Sequence, residues 1–249
     1  MATFAVDAVV LGRRDIGEAD RLLTIFSRTM GKMRVIAKGA RRTTSRMAAH
    51  LEPGRESRLF LVERRSLPLI TQVETSRLFV GHSPDLAELK DLFSLLEITA
   101  NLLDDNQRDS RLYDLLTETL EQFTQTRDLP ARQQLLVAYM LKALHMLGFA
   151  IELDRCITCQ KPLLHTPTPE RDFYLSAARG GIVHKTCGSP GPGTFVITAD
   201  ALKTLQHLIR AKLATIAANP VGQPALELVR PIQAFLEWTS ERTLKSSQL

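Results

Sequence analysis

Four residues in the second half of the chain have the types and spacing of a metal site. Cys156-Ile157-Thr158-Cys159 is a C-x-x-C pair, and His184-Lys185-Thr186-Cys187 is an H-x-x-C pair. Two-residue spacing lets each pair bind from one tight turn, and four such donors suit tetrahedral zinc. The constellation uses every cysteine of the chain. Because four protein donors close the coordination shell, a zinc held this way is expected to be structural and not catalytic. His165 is a weaker substitute for His184 as the fourth donor. Two other readings stay open. Cys156 and Cys159 could form a redox pair, although Arg155 and Lys161-Pro162 do not supply the strand and helix context of that motif. The three cysteines could also be inert thiols; their odd number does not suit a disulfide framework.

The second feature is charge. The net charge is +5, yet residues 1–80 carry 15 Lys and Arg against eight Asp and Glu, and the remainder of the chain is slightly acidic. Between Asp20 and Glu52 there is no acid, while Arg21, Arg28, Lys32, Arg34, Lys38, Arg41, Arg42 and Arg46 fall in that interval. A solvated face or an anionic-lipid contact would need no more than this. Alternation of these cations with apolar residues, however, sets charge on one face of a sheet, as a track for phosphates requires. The candidate phosphate contacts are Lys38, Arg41 and Arg42, with Lys32 and Arg34 contributing less. Residues 1–50 hold only Phe4 and Phe26 as Phe, Tyr or Trp. Base stacking is therefore expected to contribute less than backbone charge, and binding to be salt-sensitive and poor at reading sequence.

Signatures of turnover are missing. Phe26 stands where a phosphate-binding loop ending in Gly31-Lys32 needs its first glycine. No G-x-S-x-G, H-E-x-x-H or dinucleotide-binding glycine motif occurs. His50-Leu51-Glu52 has the form of a deaminase H-x-E, but it lies far upstream of a C-x-x-C that lacks the preceding proline. No catalytic residue is expected. No apolar run approaches the roughly 18 residues that cross a bilayer, and the N-terminal apolar run precedes the arginines, the wrong order for a signal peptide. The expected location is the cytoplasm.

These residues need elements to position them. Phe4–Leu11, Leu22–Phe26, Met33–Lys38, Leu59–Glu63 and Leu67–Thr75 read as five short strands separated by glycines or charged clusters. Five strands in about eighty residues suggest a small closed barrel; its nucleic-acid-binding form is the OB-fold, and an SH3-like barrel fits the count almost as well. After Gly81 the period becomes helical. Ser83-Pro84 reads as a helix start, with Leu86, Leu89, Leu92, Phe93, Leu96 and Leu103 following. Leu112, Leu115, Leu116, Leu120 and Phe123 mark a second helix, and Ala131 to Leu147 a third that Gly148 ends. Thr198 caps a fourth that runs to about Leu213, and Pro224 opens a fifth through Leu244. The expected fold is thus α+β and multi-domain: an OB-fold at 1–80, a helical bundle at 81–150 plus 194–249, and a zinc-binding module at 151–193, without clear helical period, inserted in the bundle.

The run Leu11-Gly12-Arg13-Arg14-Asp15-Ile16-Gly17-Glu18-Ala19-Asp20-Arg21-Leu22-Leu23, followed by Gly31-Lys32, Ala37-Lys38-Gly39-Ala40-Arg41-Arg42 and Ser45, resembles the N-terminal signature of the bacterial RecO family of recombination mediators. Cys156, Cys159, Gly180-Gly181, His184 and Cys187 fall where zinc-binding members of that family have their cysteines. The family commonly has cysteine at the position of His184, so either the site is Cys3His or the metal is weakened. Some members lack the site, which implies that zinc supports the fold. The resemblance implies an OB-fold, a helical domain and a zinc module; binding to single- and double-stranded DNA; and annealing of complementary strands. It further implies a complex with RecR that helps load RecA onto DNA coated by single-stranded DNA-binding protein, in the bacterial cytoplasm at the nucleoid. Two readings from other classes compete: a basic OB-fold adaptor that recruits proteins and touches nucleic acid weakly, and a zinc oxidoreductase.

Overall fold

The computed structural model describes residues 2–79, 85–164, 172–221, 226–241, 243 and 244. Chain contacts divide it into two units, Met1–Thr124 and Gln125–Leu249.

The first unit begins with five strands: β1 (Thr3–Ile16), β2 (Asp20–Ser27), β3 (Gly31–Ala37), β4 (Arg55–Val62) and β5 (Leu69–Leu78). They close a barrel in the order β1-β2-β3-β5-β4, the OB-fold arrangement. Neighbours are antiparallel except at the closure, where β3 and β5 meet in parallel at Ile36 and Leu69. Alternation fills the interior: Val6, Ala8, Val10, Leu23, Ile25, Val35, Ala37, Leu59, Leu61 and Ile70 face one core. A bulge between Val10 and Gly12 lets β1 run on through Arg13 and Arg14, further than its apolar residues indicate.

Two helices belong to this unit, α1 (Leu86–Leu102) and α2 (Ser110–Gln125). The α1 N-terminus is held by a capping box, Asp85 accepting from the Glu88 backbone and Glu88 from that of Asp85. Ser83 and Pro84, expected at this start, lie outside the described residues. Helical cover explains why Val9 and Phe26, on the outer face of the barrel, are fully buried. Phe26 meets the Tyr113 ring edge-on at 5.5 Å, and the Tyr113 hydroxyl donates to Glu56 of β4, which also pairs with Arg77. The α1–α2 connection then seals an open barrel edge. Asn106 N–H donates to Lys32 O at 2.7 Å, and Lys32 N–H to Gln107 O at 3.3 Å, on the stretch of β3 that β5 does not reach. Gly31, at φ +76°, makes that approach possible, since a Cβ there would stand 2.2 Å from Gln107 O.

The second unit is built on α3 (Leu129–Met146), which starts at Asp128, has Pro130 in its first turn and is followed by Gly148 at φ +88°. It is buried on all sides from Ala131 to Leu141, as suits the central helix of a bundle. Around it pack α4 (Ala199–Arg210), α5 (Leu213–Ala218) and α6 (Leu226–Ser240). Thr198 caps α4 through the Ala201 N–H, as its sequence indicates. The helix expected to continue to Leu213 instead breaks at Ala211 and Lys212, both extended, and α5 follows separately. Pro224 lies outside the described residues. The Gln134 amide fastens the segment after α5, donating to Val221 O at 2.7 Å and accepting from its N–H at 3.0 Å.

By chain contacts α1 and α2 group with the barrel, and α3 to α6 group in the second unit. The stretch between α3 and α4, which lacks a helical period, holds three strands: β6 (Asp172–Ser176), β7 (Gly181–His184) and β8 (Thr194–Thr198) form an antiparallel sheet in the order β7-β6-β8. The chain leaves the bundle after α3, builds this module and returns through α4.

Candidate metal centre and nucleic-acid face

The metal donors come from two turns that the module's backbone brings together. The first is a knuckle: Cys156 N–H donates to Lys161 O at 2.9 Å and Gln160 N–H to Cys156 O at 2.8 Å, while Gln160 adopts φ +61° to turn the chain back. Ile157 N–H then donates to Ile182 O at 3.0 Å, tying the knuckle to β7. Gly181 permits this contact, because a Cβ there would lie 2.8 Å from Glu152 O. The second turn is the end of β7, where His184 closes the strand and a 3-10 turn, Lys185–Cys187, swings Cys187 back beside it.

The ligand atoms of Cys156, Cys159, His184 and Cys187 all lie within 4.8 Å of one another. His184 Nδ1 is 3.5 Å from Cys159 Sγ and 3.9 Å from Cys187 Sγ. Zinc bonds of about 2.3 Å to sulfur and about 2.0 Å to nitrogen place tetrahedral S and N donors about 3.5 Å apart. The four residues fit that ion, and His184 would serve through Nδ1. Cys156 and His184 are buried, Cys159 and Cys187 partly exposed. Burial pushes the Cys156 thiol up, but backbone N–H groups of Cys159, His184 and Thr158 donate to its sulfur and bring it down to about 6. Burial and the neighbouring Cys159 thiol raise Cys187. One donor is thus held as thiolate before any metal arrives, which an inert thiol cluster does not require. His165 lies outside the described residues.

The five candidate phosphate contacts separate in the structure. Lys32 is buried: its Nζ donates to the carbonyls of Ala100, at 2.9 Å, and Leu103, and approaches Asp105 at 3.6 Å. These are the last carbonyls of α1, so the ammonium caps a helix C-terminus. Arg34 is exposed but pairs with Asp105 at 3.0 Å. Arg41 lies beside Asp15 at 3.2 Å and donates to the carbonyls of Gly17 and Glu18. Together with Gly39 N–H donating to Asp20 at 2.8 Å, this pins the loop after β3 to the β1–β2 turn. Lys38 and Arg42 stand on that pinned loop, exposed, with no side-chain hydrogen bond or ion pair among the described residues. Arg46 shares that condition.

Arg64 and Arg65, a dibasic pair not among the sequence candidates, are exposed in the connection between β4 and β5. Among the described residues no helix is long and apolar enough to cross a membrane.

Comparison with known proteins covers both units. Residues 1–79 match the family described as Recombination protein O N terminal, and residues 85–248 match Recombination protein O C terminal. The chain is 30% identical over 253 residues to the DNA repair protein RecO of Symbiobacterium thermophilum, covering 100% of this chain and 96% of that relative. It is 32% identical to the RecO proteins of Streptomyces griseus, over 99% of this chain and 98% of the relative, and of Cutibacterium acnes, over 100% and 99%.

Proposed function

The chain belongs to the RecO family of DNA repair proteins, and from that premise we propose that it is a recombination mediator that binds single- and double-stranded DNA on its barrel, anneals complementary strands, and acts with RecR to help load RecA onto DNA coated by single-stranded DNA-binding protein. The observation that carries the reading is the pinned loop after β3, which presents Lys38 and Arg42, unpaired among the described residues, on an OB-fold. Arg41 holds that loop against the β1–β2 turn, and Arg34 contributes where a phosphate competes with Asp105. Lys32 has no part in the contact. Zinc at Cys156, Cys159, His184 and Cys187 supplies folding energy to the module when bound, without chemistry of its own. The protein works at the bacterial nucleoid and turns over no substrate.

Annealing needs no energy source. Two DNA strands repel as polyanions, and a cationic surface that screens both speeds their encounter. The test is the pairing rate of complementary oligonucleotides with purified protein at several salt concentrations, without ATP. The reading expects acceleration that falls steeply with salt, and no acceleration at low salt would refute it. One observation favours the adaptor reading: Lys32, Arg34 and Arg41 are already paired within the protein. An adaptor would bind DNA only weakly at low salt and leave the pairing rate unchanged.

A further inference from the structure

The four donors of the metal centre form two unlike halves. Cys156 and His184 are the inner half. Cys156 is fully buried and its sulfur accepts from three backbone N–H groups, while the buried His184 ring has its centroid 5.9 Å from that of Phe173. Cys159 and Cys187 are the outer half, both partly exposed. The Cys187 thiol donates to the Cys159 sulfur and, more weakly, to that of Cys156, and the Thr186 hydroxyl donates to Cys187. The Arg179 guanidinium lies beside Gly188, the residue after Cys187, 3.0 Å from where a Cβ would stand. Arg179 is exposed, with no side-chain hydrogen bond or ion pair among the described residues. Partly exposed sulfurs beside a cation are the setting in which thiolates react, whereas a buried sulfur is protected.

The donor count sharpens the point. With histidine as the fourth donor the centre holds three sulfurs, which are all the cysteines of the chain. A single disulfide uses two of them and leaves one thiol and one imidazole, too few to keep a tetrahedral zinc. The outer pair can close. Its sulfurs lie within 4.8 Å of each other. Tetrahedral zinc keeps two sulfurs about 3.8 Å apart and a disulfide about 2.0 Å, a difference that rotation about two Cα–Cβ bonds supplies. A bond within the C-x-x-C pair would instead have to draw Cys156 away from its three N–H donors.

We infer that the metal centre is a site of oxidation by peroxides, at which Cys159 and Cys187 join in a disulfide and the zinc is released. One outer thiolate attacks an oxygen of hydrogen peroxide; the O–O bond breaks, giving a sulfenic acid and hydroxide. The other outer thiolate attacks that sulfur, the S–S bond forms, and the S–O bond breaks to release a second hydroxide. Solvent protons turn both hydroxides into water, so the two sulfurs together lose two electrons and the peroxide becomes two waters. The zinc, left with Cys156 and His184, passes to solvent. Metal and disulfide join the same two turns, so the bond keeps the knuckle against the end of β7 after the ion has gone. Cys156, held inside on its N–H donors, stays reduced.

The inference rests on the proposed zinc site, and the test separates the two. The zinc-loaded full chain, freed of reductant, is treated with hydrogen peroxide beside free glutathione as a reference thiol. A chromogenic chelator reads released zinc, alkylation counts the remaining thiols, and tandem mass spectrometry of the digested protein locates them. The expected result is one zinc released per disulfide formed, with free thiols falling from three to one and the alkylated residue being Cys156. Dithiothreitol should then restore all three thiols and zinc binding. A disulfide that contains Cys156, or zinc and three thiols retained once the glutathione is fully oxidised, overturns the inference. A chain that takes up no zinc refutes the metal reading, and the mapped bond then decides the thiol pair by itself.

Discussion

Lys32→Met isolates the difference between a cation that binds DNA and one that builds the protein. In the sequence Lys32 lies among the basic residues of β3. In the structure its side chain is 10% exposed, and its ammonium holds the Ala100 and Leu103 carbonyls beside Asp105. Methionine keeps the stem and removes the charge. Each hydrogen bond from a charged group contributes about 1.5–3 kcal/mol. The favourable position at a helix C-terminus adds about 0.3–1 kcal/mol. Apolar burial of the methionine tip and some access of water to the freed carbonyls offset part of this, leaving a net loss of about 2–4 kcal/mol. For a unit of this size that lowers the melting temperature by roughly 6–12 °C. Guanidinium unfolding of Lys32→Met and of the exposed control Lys38→Met measures it, alongside DNA affinity under conditions where both are folded. The structure expects Lys32→Met to lose stability and keep affinity, and Lys38→Met to do the reverse. A tenfold loss of affinity in Lys32→Met with unchanged stability would refute the assignment.

The metal centre gives a prediction with a definite pH direction. Its Cys156 pKa of about 6 lies below the ordinary thiol value. The metal-free module therefore gains stability from the thiolate that is fully present above the unfolded thiol's pKa and is lost as pH falls through about 6. Chelator competition should show one zinc per chain, with affinity dropping steeply below pH 6 and protons released on binding at pH 7.5 from the raised Cys187; a metal content near zero would refute the site. Gly31→Ala should destabilise the first unit by at least about 3 kcal/mol in denaturant, since the new methyl meets Gln107 O at a backbone dihedral alanine disfavours; a loss under 1 kcal/mol would show that the α1–α2 connection yields.

The strands were readable because their apolar residues alternate over lengths that turns interrupt. β1 extends beyond its readable part because Gly12, which reads as the end of a strand, instead sits at a bulge that resets the register. The small sheet of the module was not readable, since β6, β7 and β8 are four or five residues long and lie among glycines, prolines and metal donors. The metal site, by contrast, was legible at once. Its chemistry is carried by residue identity and spacing, and the fold only has to close two turns on each other. The surroundings of the candidate phosphate contacts were half legible. Alternation says that Lys32, Arg34 and Ile36 share the outward side of β3, but not which part of that side α1 and α2 cover. It also cannot say which acids reach Arg34 and Arg41, because Asp105 and Asp15 arrive from elsewhere in the chain.

The central claim is that free cations on the pinned loop of the barrel bring DNA strands together. Its most direct test is the salt dependence of oligo-dT binding by wild type and Lys38→Glu/Arg42→Glu, with annealing rates measured in the same tubes without ATP. Both residues are exposed and unpaired among the described residues, so the double variant should unfold at the wild-type denaturant midpoint. The account predicts a salt slope shallower by about 1.4, the value for two phosphate contacts on a single strand, and an annealing rate that falls with it. Wild-type affinity and annealing in a folded double variant would contradict it.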